Sequence, residues 1–569
     1  MKRQTVVAGA GIMMGAAVLS RLLGYARDRT IGHIFGASGH TDAYWAAFNV
    51  PDILYYLLAG GALSAAFIPI FTRYLHEQRR EDAWQMANTL LTGLLICVAI
   101  GVVLIMLFAR QLLWVAVPGW TREHPELVSE CVVYVRIMAP MVFLTVTSAL
   151  ATGILQSFMH FSTPAAAWWV YNIGIIGGAV FLTGRFGIVG LCIGVLVGAF
   201  LMVAVQWPKL VKAGMRYRPR LNLGHPGVRE FVPKFLPVMV GLAASQIGLL
   251  WLPAFFGSYF GGGAITDLRY ANRLVILPLG IFGFSISTAA FPALAAQVAA
   301  GASEEFKRTL SGSLRAILFF SVPCSVGLFV LSVPIVHLLW QGGAYSEQDA
   351  AATAFALMWY GPALLGLAAM QVMNRGFYSM QDVITPPLVG LLYLAINVAL
   401  CMVLIRTRMA YGGVALASSL SATAGMALLM VLLRRRVGPM DMRQTGLSFG
   451  RMLVASLVMG AVVLWVSRAV GARLEVASTR VVIKAPPVQV GEATDEDDRQ
   501  GAGAADLPAR PSSGQDGIAP YGRIGIQVAA SMVTAIIVYL ALMAAMRAPE
   551  MRECWQAVAQ RFGSGATEA

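Results

Sequence analysis

The strongest constraint on this chain is a succession of apolar runs, each about twenty residues long and so able to cross roughly 30 Å of hydrocarbon as a helix. Inside lipid the backbone must satisfy its own hydrogen bonds, which leaves helices or a closed barrel. The runs lie near 5–24, 44–70, 84–108, 132–156, 164–183, 187–206, 233–256, 269–296, 314–340, 353–374, 386–405, 412–433, 450–470 and 523–546. Unbroken apolar character over that length points to helices, about fourteen of them. Of 569 residues only 12% are charged and 58% are hydrophobic, against roughly 25% charged in soluble domains. The expected fold is an all-α polytopic membrane protein.

Basic residues gather after the even-numbered runs: Arg73, Arg79 and Arg80; Lys209, Lys212, Arg216, Arg218 and Arg220; Lys307 and Arg308; Arg434, Arg435 and Arg436. The positive-inside bias assigns those loops, and with an even helix count both termini, to the cytoplasm. Topology thus accounts for the net charge of +14, and no nucleic-acid partner is expected. The six cysteines are scattered and offer neither a disulfide framework nor metal-ligand spacing. The first run follows Lys2-Arg3 but lacks a convincing cleavage site, so it is read as a retained helix.

The chain repeats weakly at an offset of about 225 residues: Ser20 with Ser245, Phe35-Gly36 with Phe260-Gly261, Thr41-Asp42 with Thr266-Asp267. Ser157 and Thr163-Pro164 return as Ser379 and Thr385-Pro386. The offset spans six helices, so both copies enter the membrane in the same sense. That predicts two six-helix lobes about a pseudo-two-fold axis along the membrane normal, with a site between them. The expected division is an N-lobe at 1–206, a cytoplasmic linker at 207–232, a C-lobe at 233–434, and two extra helices within 435–569. The segment 471–522, rich in Pro, Gly, Asp and Glu, is expected to be a disordered extracytoplasmic loop. The linker is read as a connector, or alternatively as an interfacial segment touching anionic lipid.

Charges within the spans carry the functional signal, since a cation at the bilayer centre costs about 2.5–3.5 kcal/mol even on the lenient insertion scale. Arg21 and Arg27 lie in Ser20-Arg21-Leu22-Leu23-Gly24-Tyr25-Ala26-Arg27-Asp28, on the first span. Asp42 opens the second, which also carries Asp52. Arg269 and Arg273 are four apart on the eighth and share a face. Together they suggest a cavity built for an anion. Arg27 and Arg29 have a second reading, snorkelling to the outer interface; Arg21 and Arg273 have another, a buried salt bridge with Asp42, Asp52 or Asp267. Six residues separate Arg21 from Arg27, about 240° of an ideal helix. Both face one cavity only if the helix bends, with Gly24 as the hinge. Pro51, Gly60 and Gly61 are further hinge or gating candidates, as are Pro278, Gly280 and Gly283, although such residues are common in membrane helices and each taken singly is read as ordinary. His33 and His40, between the first two spans, are read as exposed. Walker, His-Glu-x-x-His and nucleophile-elbow motifs are missing. No catalytic residue, metal site or cofactor is expected, and transport is favoured over bond chemistry.

Several motifs resemble the MurJ (MviN) family: the Ser20–Asp28 run, Phe35-Gly36-Ala37, Thr41-Asp42-Ala43, Gly61-Ala62-Leu63-Ser64-Ala65-Ala66-Phe67-Ile68-Pro69, Ala271-Asn272-Arg273-Leu274 and Gly376-Phe377-Tyr378-Ser379-Met380-Gln381-Asp382. The likeness covers almost all of the first twelve spans. It implies a lipid II flippase of the multidrug/oligosaccharidyl-lipid/polysaccharide exporter superfamily, in the bacterial inner membrane and serving peptidoglycan synthesis. It further implies cavity roles for Arg21, Arg27 and Arg273, a role for Asp42, and a lipid-tail groove formed by the last two helices. The chain departs from the family at Tyr55-Tyr56, often Arg-Arg, and at Gly60, often Glu; Arg269 is the candidate substitute cation. Lipid II and membrane lipids are the expected partners, with cell-wall synthesis proteins beside them, and the membrane potential or a monovalent ion the expected energy input. The alternatives are an exporter of another lipid-linked oligosaccharide or of drugs, and a membrane glycosyltransferase.

Overall fold

In the computed structural model the described residues are 3–59, 62–246, 248, 251–440, 442–473 and 519–551. They are predominantly helical, and their one β-feature is an isolated bridge from Gly342 to Tyr345. Among the described residues nine helices are long and apolar enough to cross a membrane. Two bent pairs add a span each: Pro125–Met138 with Met141–Ser157, at 42°, and Glu347–Tyr360 with Ala363–Ser379, at 45°. The remaining three expected spans fall on Arg3–Phe35, on Gly39–Leu58 with Ala62–His76, and on Pro226–Gln246. The bends come at Ala139-Pro140 and Gly361-Pro362, where proline removes a backbone donor; they are repeat-mates, which supports the internal duplication.

The helices show how lipid replaces water as the outer solvent. On Arg80–Leu107, Leu90, Leu94, Val98 and Val102 form a buried stripe at helical spacing. Ile100, Val103 and Leu107 on the other side are more than half exposed, apolar on a surface that a soluble helix would keep polar.

Residues 1–266 and 342–346 form one compact unit. Within it, Ser162–Gly177 and Ile188–Lys212 approach at glycines: a Cβ on Gly174 would lie 2.4 Å from the Cα of Gly198, and one on Gly178 2.4 Å from that of Gly194. Small residues let membrane helices pack this closely. Gln206, fully buried, ties two helices by donating to Ser148 Oγ at 2.6 Å and accepting from Thr152 Oγ1 at 3.0 Å. Pro226–Gln246 packs on Gly39–Leu58 and Ala62–His76. Glu230 on that helix bonds Arg73 and, at 2.8 Å, Lys234. Those two cations pull its carboxyl down to about 2.

The second unit comprises 267–341 and 347–569. In it, Ala264–Pro278 leads through a π-turn at Leu279–Gly283 into Phe284–Ala299. Pro278 and the glycines read as kink candidates in the sequence stand at this irregularity. Met442–Arg473 and Ala519–Ala545 pack on each other, and the former packs on Ser303–Val330. Gln527 Nε2 donates to the Ser467 carbonyl at 2.9 Å, and Tyr539 Oη donates to the Phe319 carbonyl at 2.9 Å. Buried Glu550 accepts from Ser448 Oγ at 2.5 Å and lies 3.5 Å from Arg315 Nε.

The units divide elsewhere than the expected lobe boundary, since 233–266 belongs with the N-terminal unit. The reason is packing, which joins Pro226–Gln246 to the second and third helices. Of the segment expected to be a disordered loop, 471–473 and 519–522 are helical, and 474–518 lies outside the described residues.

Candidate functional site

The first helix runs unbroken from Arg3 to Phe35 over 33 residues, Gly24 included. Arg21 is half-buried and, among the described residues, its guanidinium has no ion pair or hydrogen bond. Arg27 differs sharply. It is 8% exposed, so it does not snorkel. Its Nε and Nη2 reach one oxygen of Asp28 at 2.8 and 2.6 Å, and the guanidinium lies 5.9 Å from the ring centre of Trp45 on the second helix. Of these two arginines, one keeps its hydrogen-bonding capacity open among the described residues and the other is already neutralised by its neighbour.

Asp42 is 1% exposed and sits in the first turn of Gly39–Leu58. Ser38 starts that helix, its hydroxyl accepting from the Thr41 N–H. Asp42 Oδ2 accepts from the backbone N–H of Gly263 at 2.8 Å and of Ile265 at 3.2 Å. Oδ1 accepts from Thr266 N at 2.7 Å and Thr266 Oγ1 at 2.5 Å. The first amides of a helix have no intrahelical acceptor, and a carboxylate there also meets the positive end of the dipole. Asp42 thus caps the 263–266 segment, and among the described residues it pairs with no arginine. Close by in sequence, Ala344 N donates to the His33 carbonyl at 2.8 Å. Gly343 has φ +62°, and a Cβ on it would lie 2.2 Å from that carbonyl. His40 is exposed, as expected, but bonds Glu130 at 2.7 Å, and that carboxylate raises its pKa.

In the other unit, Arg269 and Arg273 are both half-buried on Ala264–Pro278. Beside them Asp267 accepts from Thr353 Oγ1 at 2.7 Å, and Tyr270 stacks on Trp340 at 4.7 Å. Of the remaining hinge candidates, Pro51 lies buried in an uninterrupted helix, while Gly60 and Gly61 are outside the described residues. Sequence reasoning passed over Arg375, half-buried on Ala363–Ser379 with its guanidinium 5.5 Å from the Phe291 ring centre. Its place beside the Gly376–Asp382 motif was the available signal.

Residues 31–482 match the family model described as "Lipid II flippase MurJ". The chain belongs to the MurJ family. Asp42, Arg269 and Arg273 fall inside the matched stretch; Arg21 and Arg27 precede it. A "Probable lipid II flippase MurJ" of Vibrio cholerae is 31% identical over 471 residues, 80% of this chain and 88% of that protein. One from Buchnera aphidicola is 30% identical over 421 residues, 74% of this chain and 82% of the relative. A solved "Lipid II flippase MurJ, inward closed conformation" aligns with TM-score 0.71 at 22% identity, over 94% of this chain and 98% of that one. An inward-facing multidrug resistance MATE family transporter of the MOP superfamily aligns with TM-score 0.63 at 13% identity, over 75% and 98%. The MurJ-family chain therefore has the fold shared by these carriers, and membership identifies a transporter, not an enzyme.

Proposed function

We propose that this chain carries lipid II from the cytoplasmic to the outer leaflet, with Arg21 as the principal ligand of the diphosphate and Arg27, Arg269 and Arg273 contributing. The observation that carries the reading is the half-buried Arg21 guanidinium, without a carboxylate among the described residues, on a membrane helix. Planar guanidiniums bind phosphate oxygens in fork geometry, so an open one in low dielectric awaits an anion. The substrate's tail, of about 55 carbons, stays in lipid throughout: exposing it to water would cost tens of kcal/mol at roughly 0.8 kcal/mol per CH₂. Asp42 acts by holding residues 263–266, not by touching substrate. Arg269 supplies the charge that relatives often carry where this chain has Tyr55-Tyr56. The arginine-rich loops and both termini face the cytoplasm.

The empty carrier presents net positive charge, which an inside-negative potential draws inward at about 2.3 kcal/mol per charge per 100 mV; this resets the cycle. Depleting the protein in its host should accumulate lipid II in the inner leaflet, rescued by wild type and not by Arg21→Ala or Arg273→Ala. Normal lipid II distribution after depletion, or full rescue by Arg21→Ala, would sink the reading. Full flipping by Arg269→Ala, with Arg273→Ala inactive, would remove Arg269 from it alone.

A further inference from the structure

Where Ile188–Lys212 ends, Gly214 at φ +100° turns the chain back beside Trp84. The segment after it is extended, not helical, and runs up the Arg80–Leu107 helix. Asn88 brackets it, Nδ2 donating to the Arg216 carbonyl at 3.2 Å and Oδ1 accepting from Arg218 N at 3.4 Å. Tyr217 Oη lies 3.4 Å from Thr92 Oγ1, and Leu221 lies at Gly93, its Cδ1 3.8 Å from where a Cβ would stand.

Residues 207–224 hold Lys209, Lys212, Arg216, Arg218 and Arg220 and no carboxylate. All five cations are exposed, and among the described residues none is ion-paired. Glu77, Asp82 and Glu230 of the same unit already serve Arg73, Arg79 and Lys234. In an extended chain successive side chains alternate, so Arg216, Arg218 and Arg220 share one side. Leu221, which alternates to the other side, and Leu223 in the turn that follows are 54% and 64% exposed, and Trp207 is 45% exposed.

Depth decides what covers this surface. Asp82 is the last charge on Arg80–Leu107. At 1.5 Å per residue, Gly93 stands about 16 Å further along the helix. The headgroup layer is only about 5–8 Å thick on each side of the hydrocarbon. Leu221 therefore stands beside the uncharged, apolar part of that helix, and Arg216 and Arg218, bracketed by Asn88, stand nearer its charged end.

We propose that residues 207–224 form an interfacial docking strip for anionic phospholipid headgroups of the leaflet facing the basic loops, with Leu221 and Leu223 inserted among the acyl chains. The leaflet assignment rests on the orientation proposed above; the binding itself does not. The strip is distinct from the substrate arginines and secures the connector to the membrane surface while the helices it joins move.

The test is tryptic cleavage after Arg216 and Arg220 in the full chain, reconstituted into nanodiscs. One disc contains phosphatidylglycerol and phosphatidylethanolamine, the other phosphatidylcholine alone, and labelled casein in the same mixture calibrates the protease. Both leaflets of each disc are identical, so sidedness does not enter. Cleavage should be at least tenfold slower in the anionic disc. Leu221→Asp, read at the Arg216 site because an acidic residue directly after Arg220 itself slows trypsin there, should restore the fast rate in that disc. Equal cleavage of wild type in the two discs would overturn the proposal. So would undiminished protection in Leu221→Asp, since the strip would then be shielded by protein, not by lipid.

Discussion

Asp42→Asn tests the cap directly, because the amide keeps the side chain's shape and removes one acceptor. The four bonds to Asp42 divide two to each oxygen: Gly263 N and Ile265 N on Oδ2, Thr266 N and Oγ1 on Oδ1. Placing the new NH₂ toward Oδ2 strands two backbone donors. Placing it toward Oδ1 strands only Thr266 N–H, because the Thr266 hydroxyl can turn and accept. The second orientation wins, and the loss is one charge-assisted bond, about 1.5–3 kcal/mol. Where exchange follows local opening, that accelerates the Thr266 amide by about 10–150-fold and leaves Gly263 and Ile265 nearly unchanged. Asp42→Ala removes every acceptor and should accelerate all three. Hydrogen exchange on short peptides covering 260–268, in nanodiscs, separates the patterns. Thr266 exchange within threefold of wild type in both variants would refute the cap.

Two further outcomes follow from ion pairs outside the substrate site. Arg315→Met leaves Glu550, 1% exposed, with its bond from the Ser448 hydroxyl and without its cation, which should destabilise the second unit by about 3–5 kcal/mol; adding Glu550→Met should recover most of that in thermal unfolding, and no recovery would show that the cost is lost packing. Glu230, drawn down to about 2 by Arg73 and Lys234, contributes stability that is present above the unfolded carboxyl value, about 4.3, and lost as pH falls through 2. Glu230→Gln should therefore lower the melting temperature at pH 7 and differ much less from wild type near pH 2; an equal gap at both pH values would deny the ion pair its role.

The spans were legible because lipid leaves the backbone no choice but to bond within each segment. The π-turn after Pro278 falls where the sequence offers a proline, although Pro51 leaves its own helix uninterrupted. What escaped were contacts that leave no side-chain signature. Asp42 bonds mainly to backbone N–H groups 221–224 residues away, and an amide looks the same under any sequence. The Thr41-Asp42 and Thr266-Asp267 pair, read as a repeat marker, contains both partners of the cap, yet the repeat alone cannot say that one copy binds the other. Packing likewise moved 233–266 into the N-terminal unit against the order that an even six-helix repeat suggests.

The same limit hides the pairing within the first helix. Adjacent residues on a helix point about 100° apart and ordinarily do not face each other, so Asp28 was not an obvious partner for Arg27. The long arginine side chain nevertheless folds back to it, and the helix remains continuous through Gly24. With Arg27 paired to Asp28, Arg21 can meet an anion whether or not the axis bends at Gly24. Arg27 is held by Asp28 and lies beside Trp45, while Arg21 keeps its donors open among the described residues. On the reading proposed above, a diphosphate gains more from Arg21, because Arg27 is already bound to a carboxylate.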